Sequence, residues 1–226
     1  MAGPQTPRAR LVTGGFLWLT SAQFFVVQAL VQQGWKGSQP YSLAHSWISD
    51  LGATTCGTYS GGGGIVVCSP RHALLNGGLV VLGGQVLIGA VLLQPLLPAT
   101  RFSRPALALL AVSGLALPFV AAFPEDTGKP WHAVAATIHL ATAGLGTVAA
   151  GLSLKASGRP KSAAVTLVLG AASVVGTAVT GAGGSLGVGR GAVERLAAWP
   201  FTVWTTVAGA VALTAAARAT RVRRSL

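Results

Sequence analysis

The stretch LVTGGFLWLTSAQFFVVQALV, Leu11 to Val31, decides the fold. It contains no charged residue, and at about 1.5 Å of rise per residue it is long enough to cross a hydrocarbon core of about 30 Å. A cleaved signal peptide would show a short apolar core followed by a small-x-small site. No such site follows, so the segment is expected to stay as a membrane span. Gln23 and Gln28 interrupt the run. Facing lipid, their amides would lack partners, so they are expected to point into a helical bundle and bond across it.

Outward from this run the same pattern repeats. Of 226 residues 51% are hydrophobic and 9% charged, with a mean hydropathy of +0.62; a soluble domain carries about 25% charged residues. Apolar segments at about 72–97, 105–123, 132–154, 163–182 and 197–217 complete six expected spans with 11–31. The fold class is therefore an all-α polytopic bundle forming a single domain over 1–226. Pro118 is a kink of the kind membrane helices tolerate. The connection SLGVGRGAVERL, Ser185 to Leu196, reads as flexible.

Charge placement sets an orientation. Arg8 and Arg10, Arg101 and Arg104, Lys155, Arg159 and Lys161, and Arg218, Arg221, Arg223 and Arg224 fall on one side with no acid among them. The other side carries Lys36, Arg71, Lys129, Arg190 and Arg195 together with all four acids, Asp50, Glu125, Asp126 and Glu194. The positive-inside rule makes the first side cytoplasmic, with both termini inside. The net charge of +12 is thus a feature of membrane topology, and nucleic acid is not an expected partner, since no aromatic and basic groove pattern accompanies it. Twelve arginines against four lysines, with abundant Ala and Gly, fit a GC-rich bacterial genome and hence a bacterial plasma membrane.

The longest connection, 32–71, is then extracytoplasmic. It holds the polar stretch YSLAHSWISDLG, Tyr41 to Gly52, followed by Cys56, four glycines from Gly61 to Gly64, and Cys68. Two cysteines in one outer loop favour a disulfide over a metal site, which would need further ligands at short spacing.

With that topology the four acids and four histidines gather at or near one face. His45 and Asp50 lie in the loop, His72 at the mouth of span two, Glu125 and Asp126 before span four, His132 and His139 on span four, and Glu194 beside Arg195 before span six. An ionisable group inside a span, such as His139, is a functional candidate by default. His132 and His139 share a helix face within about 20° but differ by about 10 Å in height, a poor spacing for one metal. Zinc would have to be assembled from His45, Asp50, His132 and one of Glu125 or Asp126. Ser42, Ser46 and Ser49 flank His45 and Asp50, which suits either nucleophilic catalysis or a turn capped by Ser49 and Asp50. Asp50 or Glu194 is expected to accept hydrogen bonds from Arg195 or a histidine, above a floor formed by His139.

HSWISDLG (45–52), SPRHALLNGG (69–78), FPED (123–126) with HAVAATIH (132–139), and GAVERL (191–196) together resemble the bacterial and archaeal membrane family catalogued as domain of unknown function 998. The ISDLG element is also similar to the ISDTG element in the first outer loop of the damage-regulated autophagy modulator proteins and their relatives, which include the family of the GPI-anchor remodelling factor. The resemblance implies six helices, an exoplasmic polar site and, in some members, involvement with lipids, with no agreed catalytic mechanism. It puts His45, Ser49, Asp50, Asn76, Glu125, Asp126, His132, Glu194 and Arg195 on family motif positions. His139, His72 and the cysteine pair are more particular to this chain.

The leading expectation is that the outer cluster engages a lipid headgroup or lipid-linked substrate and hydrolyses or transfers it. His45, Asp50, Glu125, Asp126 and His132 are the catalytic candidates; Ser49, Asn76, His139, Glu194 and Arg195 are the binding candidates, with Arg195 a ligand for phosphate. A non-catalytic lipid or partner binder is the alternative, and a small-molecule transporter the third. No cofactor is expected beyond a divalent metal such as zinc. The orientation predicts that single cysteines placed near Arg101 or Arg159 resist an impermeant thiol reagent in intact cells, whereas one near Glu125 reacts. Labelling at Arg159 from outside would reverse it.

Overall fold

The computed structural model describes residues 7–58 and 64–224; Gly61 to Gly63 of the glycine run lie outside them. Six helical segments are long and apolar enough to cross a membrane. Helix α1 (Pro7–Leu19) passes through a tight 3-10 turn at Thr20–Ala22 into α2 (Gln23–Gln32), and the two form the first span. The others are α3 (His72–Leu92), α4 (Ser103–Ala122), α5 (Trp131–Ala156), α6 (Pro160–Gly181) and α7 (Arg190–Arg224). Among the described residues there is no strand beyond one isolated bridge, Gly57 to Val67.

Two boundaries differ from the sequence reading for local reasons. The second span ends at Leu92, where Pro95 and Pro98 break the helical ladder and the chain leaves through a 3-10 turn at Gln94–Leu96. The last helix starts at Arg190, so the connection read as flexible is shorter and Glu194 and Arg195 belong to the first turns of a rigid helix. A backbone bond from Ala192 N–H to Ala44 C=O, 3.0 Å long, ties that end to the outer loop.

Each span packs on its sequence neighbours, and α7 packs back on α1, so the helices close into a ring. Lipid offers no hydrophobic drive for helices to pair, so close approach and polar bonds hold the bundle. A Cβ on Gly114 would stand 2.8 Å from the Gly83 carbonyl oxygen, which is why α3 and α4 cross at a pair of glycines. Trp18 lies 5.2 Å from Trp204 across the α1–α7 contact and donates its indole N–H to Val86 C=O at 3.2 Å, seated against Gly89.

The glutamines do bond across the bundle. Gln23 donates to Gly78 C=O at 3.0 Å, Gln85 donates to Thr20 Oγ1 at 3.0 Å, and Trp199 donates to Gln28 Oε1 at 3.4 Å. The outward faces stay apolar, with Val81, Val91, Leu115, Phe119 and Val168 all more than half exposed. In a membrane these are lipid contacts.

Gly114→Ala should therefore cost about 1 to 3 kcal/mol of stability, because the added methyl meets backbone across the α3–α4 contact. Gly84→Ala, where nothing lies within 4 Å of the new carbon, should change stability by less than about 0.5 kcal/mol. Unfolding midpoints of the two purified variants, compared side by side, check the pair.

Candidate functional site

The segment 41–52 sits on one end of the ring and is held there by three polar stations. The first is Arg195, which is 5% exposed. Its guanidinium donates to the carbonyls of Leu43, Ser46 and Gly191, each at 2.9 Å, and to the Tyr41 hydroxyl. It also lies 5.5 Å from the Tyr41 ring centre and 5.7 Å from that of Trp199. Tyr41 passes its own O–H to Trp47 C=O at 2.9 Å. Burial pushes the Tyr41 phenol above its ordinary range against the opposing pull of Arg195, so it keeps that proton. Gly189, with φ of +98°, packs against Ala44 and His45 where no side chain would fit. Beside it Arg190 donates to His45 C=O at 2.9 Å.

The second station is the turn between α4 and α5. Ser49 donates its hydroxyl to Glu125, and the N–H and O–H groups of Thr54 and Thr55 converge on Asp126 Oδ2 at 2.8 to 3.0 Å. Burial alone would raise the Asp126 carboxyl, but these four bonds outweigh it and hold it below its ordinary range. Asn76 on α3 is the third station, donating to Gly52 C=O at 3.0 Å. Glu194 adds a further tie by accepting from Ile48 N–H.

The rest of the loop is braced around this centre. Cys56 and Cys68 are joined in a disulfide, flanked by paired backbone bonds between Gly57 and Val67 at 2.9 and 3.0 Å. Ser69 donates to Leu51 C=O at 2.7 Å. Asp50 and Leu51 are wholly buried. Asp50 Oδ2 accepts from Trp47 N–H at 2.8 Å and Oδ1 has no partner. Burial, with the charge of Glu125 adding to it, pushes the Asp50 carboxyl up to about 7; Trp47 N–H, Arg190 and Arg195 pull the other way.

Beneath the loop lies a cavity of about 60 Å³, roughly the volume of two water molecules. Its polar lining is Ser49, Asn76, Glu125, His132, His139 and Glu194, gathered from the loop, α3, α5, α7 and the α4–α5 turn; Phe24, Leu75, Leu79 and Leu117 make its apolar wall. His132 Nδ1 donates to Phe123 C=O at 2.9 Å, and His139 Nδ1 lies 3.2 Å from Ser113 C=O and 2.9 Å from Ser113 Oγ. A carbonyl only accepts, so His132 Nδ1 carries a proton, whereas His139 Nδ1 meets both the carbonyl and the hydroxyl of Ser113. Both rings line the cavity.

The expected site residues divide into two groups. Six of them line the cavity, while His45, Asp50, Asp126 and Arg195 lie outside its lining, in the loop and its anchors. Arg195 gives its hydrogen bonds to carbonyls and a phenol rather than to Asp50 or Glu194, because segment 41–48 wraps the guanidinium. Both terminal nitrogens are engaged there, Nε has no partner, and the side chain is 5% exposed, so burial under the loop keeps a phosphate from reaching it. Among the described residues no three His, Cys, Asp or Glu side chains come together as a metal site. The zinc set of His45, Asp50, His132 and an acid is not assembled, since Asp126 serves Thr54 and Thr55 and His45 sits exposed on the α7 side.

Tyr41, Thr54, Thr55 and Ser113 are site residues that the sequence reading missed. A serine inside the apolar run of α4 was a usable signal for Ser113. Nothing marked Thr54 and Thr55.

The model of one protein family matches residues 14–211, a stretch that takes in the loop, four whole spans and most of the first and last. The chain belongs to the family described as Protein of unknown function (DUF998). No curated protein and no solved structure matches it. For this DUF998 member the matched stretch includes every residue that lines the cavity.

Asp50 predicts a pH effect. Its carboxyl is raised in the folded protein from an ordinary value near 3.8 to about 7, so folding favours the protonated form. The stabilisation is complete below the unfolded value and lost as pH rises through about 7. Wild type should melt at a lower temperature at pH 8 than at pH 5, and Asp50→Asn should reduce that difference. Asp50→Ala, which strands Trp47 N–H, should lose about 1 to 3 kcal/mol at either pH.

Proposed function

We propose that this chain is a plasma-membrane protein with both termini cytoplasmic, whose exoplasmic cavity receives the tip of a lipid headgroup or lipid-linked substrate. The observation that carries this reading is the cavity at one end of the apolar ring, lined by six polar side chains under a braced loop. Two carboxylates and two imidazoles line it with no lysine or arginine. Such a lining suits a group that donates hydrogen bonds or carries positive charge, an ammonium or a hydroxyl, and leaves a phosphate outside. The likeness of ISDLG to the ISDTG element of the autophagy modulator and GPI-remodelling proteins supports a lipid ligand, although Leu51 stands here where that element has threonine.

Acid and base groups are both at hand for hydrolysis or transfer. His132 lines the cavity wall beside Glu125, which accepts from Ser49 of the loop. A second reading, a binder that does no chemistry, is favoured by the commitment of Asp50 and Arg195 to the loop itself. Both readings require the cavity to hold a headgroup.

Full-length protein purified in detergent with equal phosphatidylethanolamine and phosphatidylglycerol should retain the amine-headed lipid by native mass spectrometry. Glu125→Gln keeps an acceptor for Ser49 but removes the charge, and should weaken that retention about tenfold. If Glu125→Gln leaves retention of the amine-headed lipid unchanged, the cavity is not a headgroup site. Turnover of the retained lipid would separate enzyme from binder.

A further inference from the structure

At the opposite end of the ring, the turn between α3 and α4 forms a groove of about 750 Å³. Pro95, Leu97 and Leu107 give it an apolar wall, and Thr100, Arg101 and Arg104 a polar rim. We propose that this groove binds the headgroup and upper acyl region of one anionic phospholipid, with Arg101 and Arg104 holding its phosphate.

The groove is built from a fixed backbone. Ser153 on α5 is wholly buried and bonds Thr100 Oγ1 at 2.9 Å and Ser103 Oγ at 2.8 Å, which pins the turn to the bundle. Arg10 donates to Val91 C=O at 2.9 Å and so covers a carbonyl at the negative end of α3. Arg101 is exposed, with its guanidinium 4.8 Å from the Phe102 ring centre, and Arg104 is exposed at the first turn of α4. Among the described residues neither has a carboxylate to pair with. All four acids of the chain sit at the loop end, some 20 helical residues away.

Two exposed arginines at the edge of the membrane, beside apolar walls and with no internal anion, complement a phosphodiester whose acyl chains continue into the bilayer. The size suits such a ligand, since pockets for small molecules run about 300 to 1,000 Å³. The groove offers the same arginines and apolar wall whichever way the bundle is inserted, independently of the cavity at the other end.

The test is native mass spectrometry of the full-length protein equilibrated with equal phosphatidylglycerol and phosphatidylcholine. Wild type should retain phosphatidylglycerol preferentially. Arg101→Gln with Arg104→Gln should lower that retention at least about tenfold, with an unchanged melting temperature because both side chains are exposed. Lys155→Gln with Lys161→Gln, which removes the same charge elsewhere on that face, should leave it close to wild type. Equal losses in the two double variants would mean a diffuse surface charge and overturn the site, as would phosphatidylglycerol retention left unchanged by Arg101→Gln with Arg104→Gln.

Discussion

In hydrocarbon there is no water to satisfy a polar group, and that constraint determines where this chain keeps its chemistry. Within the spans, several polar side chains bond across to another helix, Ser21 to Thr205 at 2.9 Å, Trp204 to Thr166 at 3.2 Å and Gln85 to Thr20, while hydroxyls such as Thr147 and Thr202 bond back to their own helix. The groups too costly to match there are displaced to the ends. His139 is the exception, about two turns below His132, and Ser113 supplies the partner that makes its depth tolerable.

At the loop end the same constraint produces the buried arginine. Taking a guanidinium out of water costs several kcal/mol, which four hydrogen bonds and two aromatic rings offset here. The return is structural, since one side chain fixes three carbonyls of two chain segments. Because segment 41–48 is held through Arg195, the turn at 49–52 can lie flat over the ring, with Leu51 buried and Ser49 above Glu125. The cation is thereby removed from the cavity, and the lining left behind is rich in acceptors.

The six helices were legible because length and hydropathy suffice for a span, and the gathering of acids and histidines at one end was legible from charge placement. The disulfide followed from two cysteines in one outer loop. Helix ends were less legible: α7 begins at Arg190 only because the loop packs on its first turn, a tertiary effect with no local signal. The division between loop anchors and cavity lining was also hidden. Asp50 and Glu125 are alike in a sequence, and only packing sends one toward Trp47 N–H and the other to Ser49. Arg195 beside Glu194 read as an ion pair or an anion site, whereas on a helix adjacent residues point about 100° apart and the two serve different segments.

The two ends of the ring therefore carry opposite chemistry. One has carboxylates and imidazoles around a small cavity, with its central cation enclosed; the other has arginines and lysines with no acid to pair them. Between them the spans contribute no carboxylate, lysine or arginine at mid-depth, so a charged solute would find no partner along the ring. In the proposed reading an outside molecule is met near either end of the ring, where the polar side chains are gathered. A molecule with a polar tip and an apolar body can satisfy such an end without leaving its leaflet. A wholly polar solute would have to strand its remaining groups against Leu75, Leu79 and Leu117.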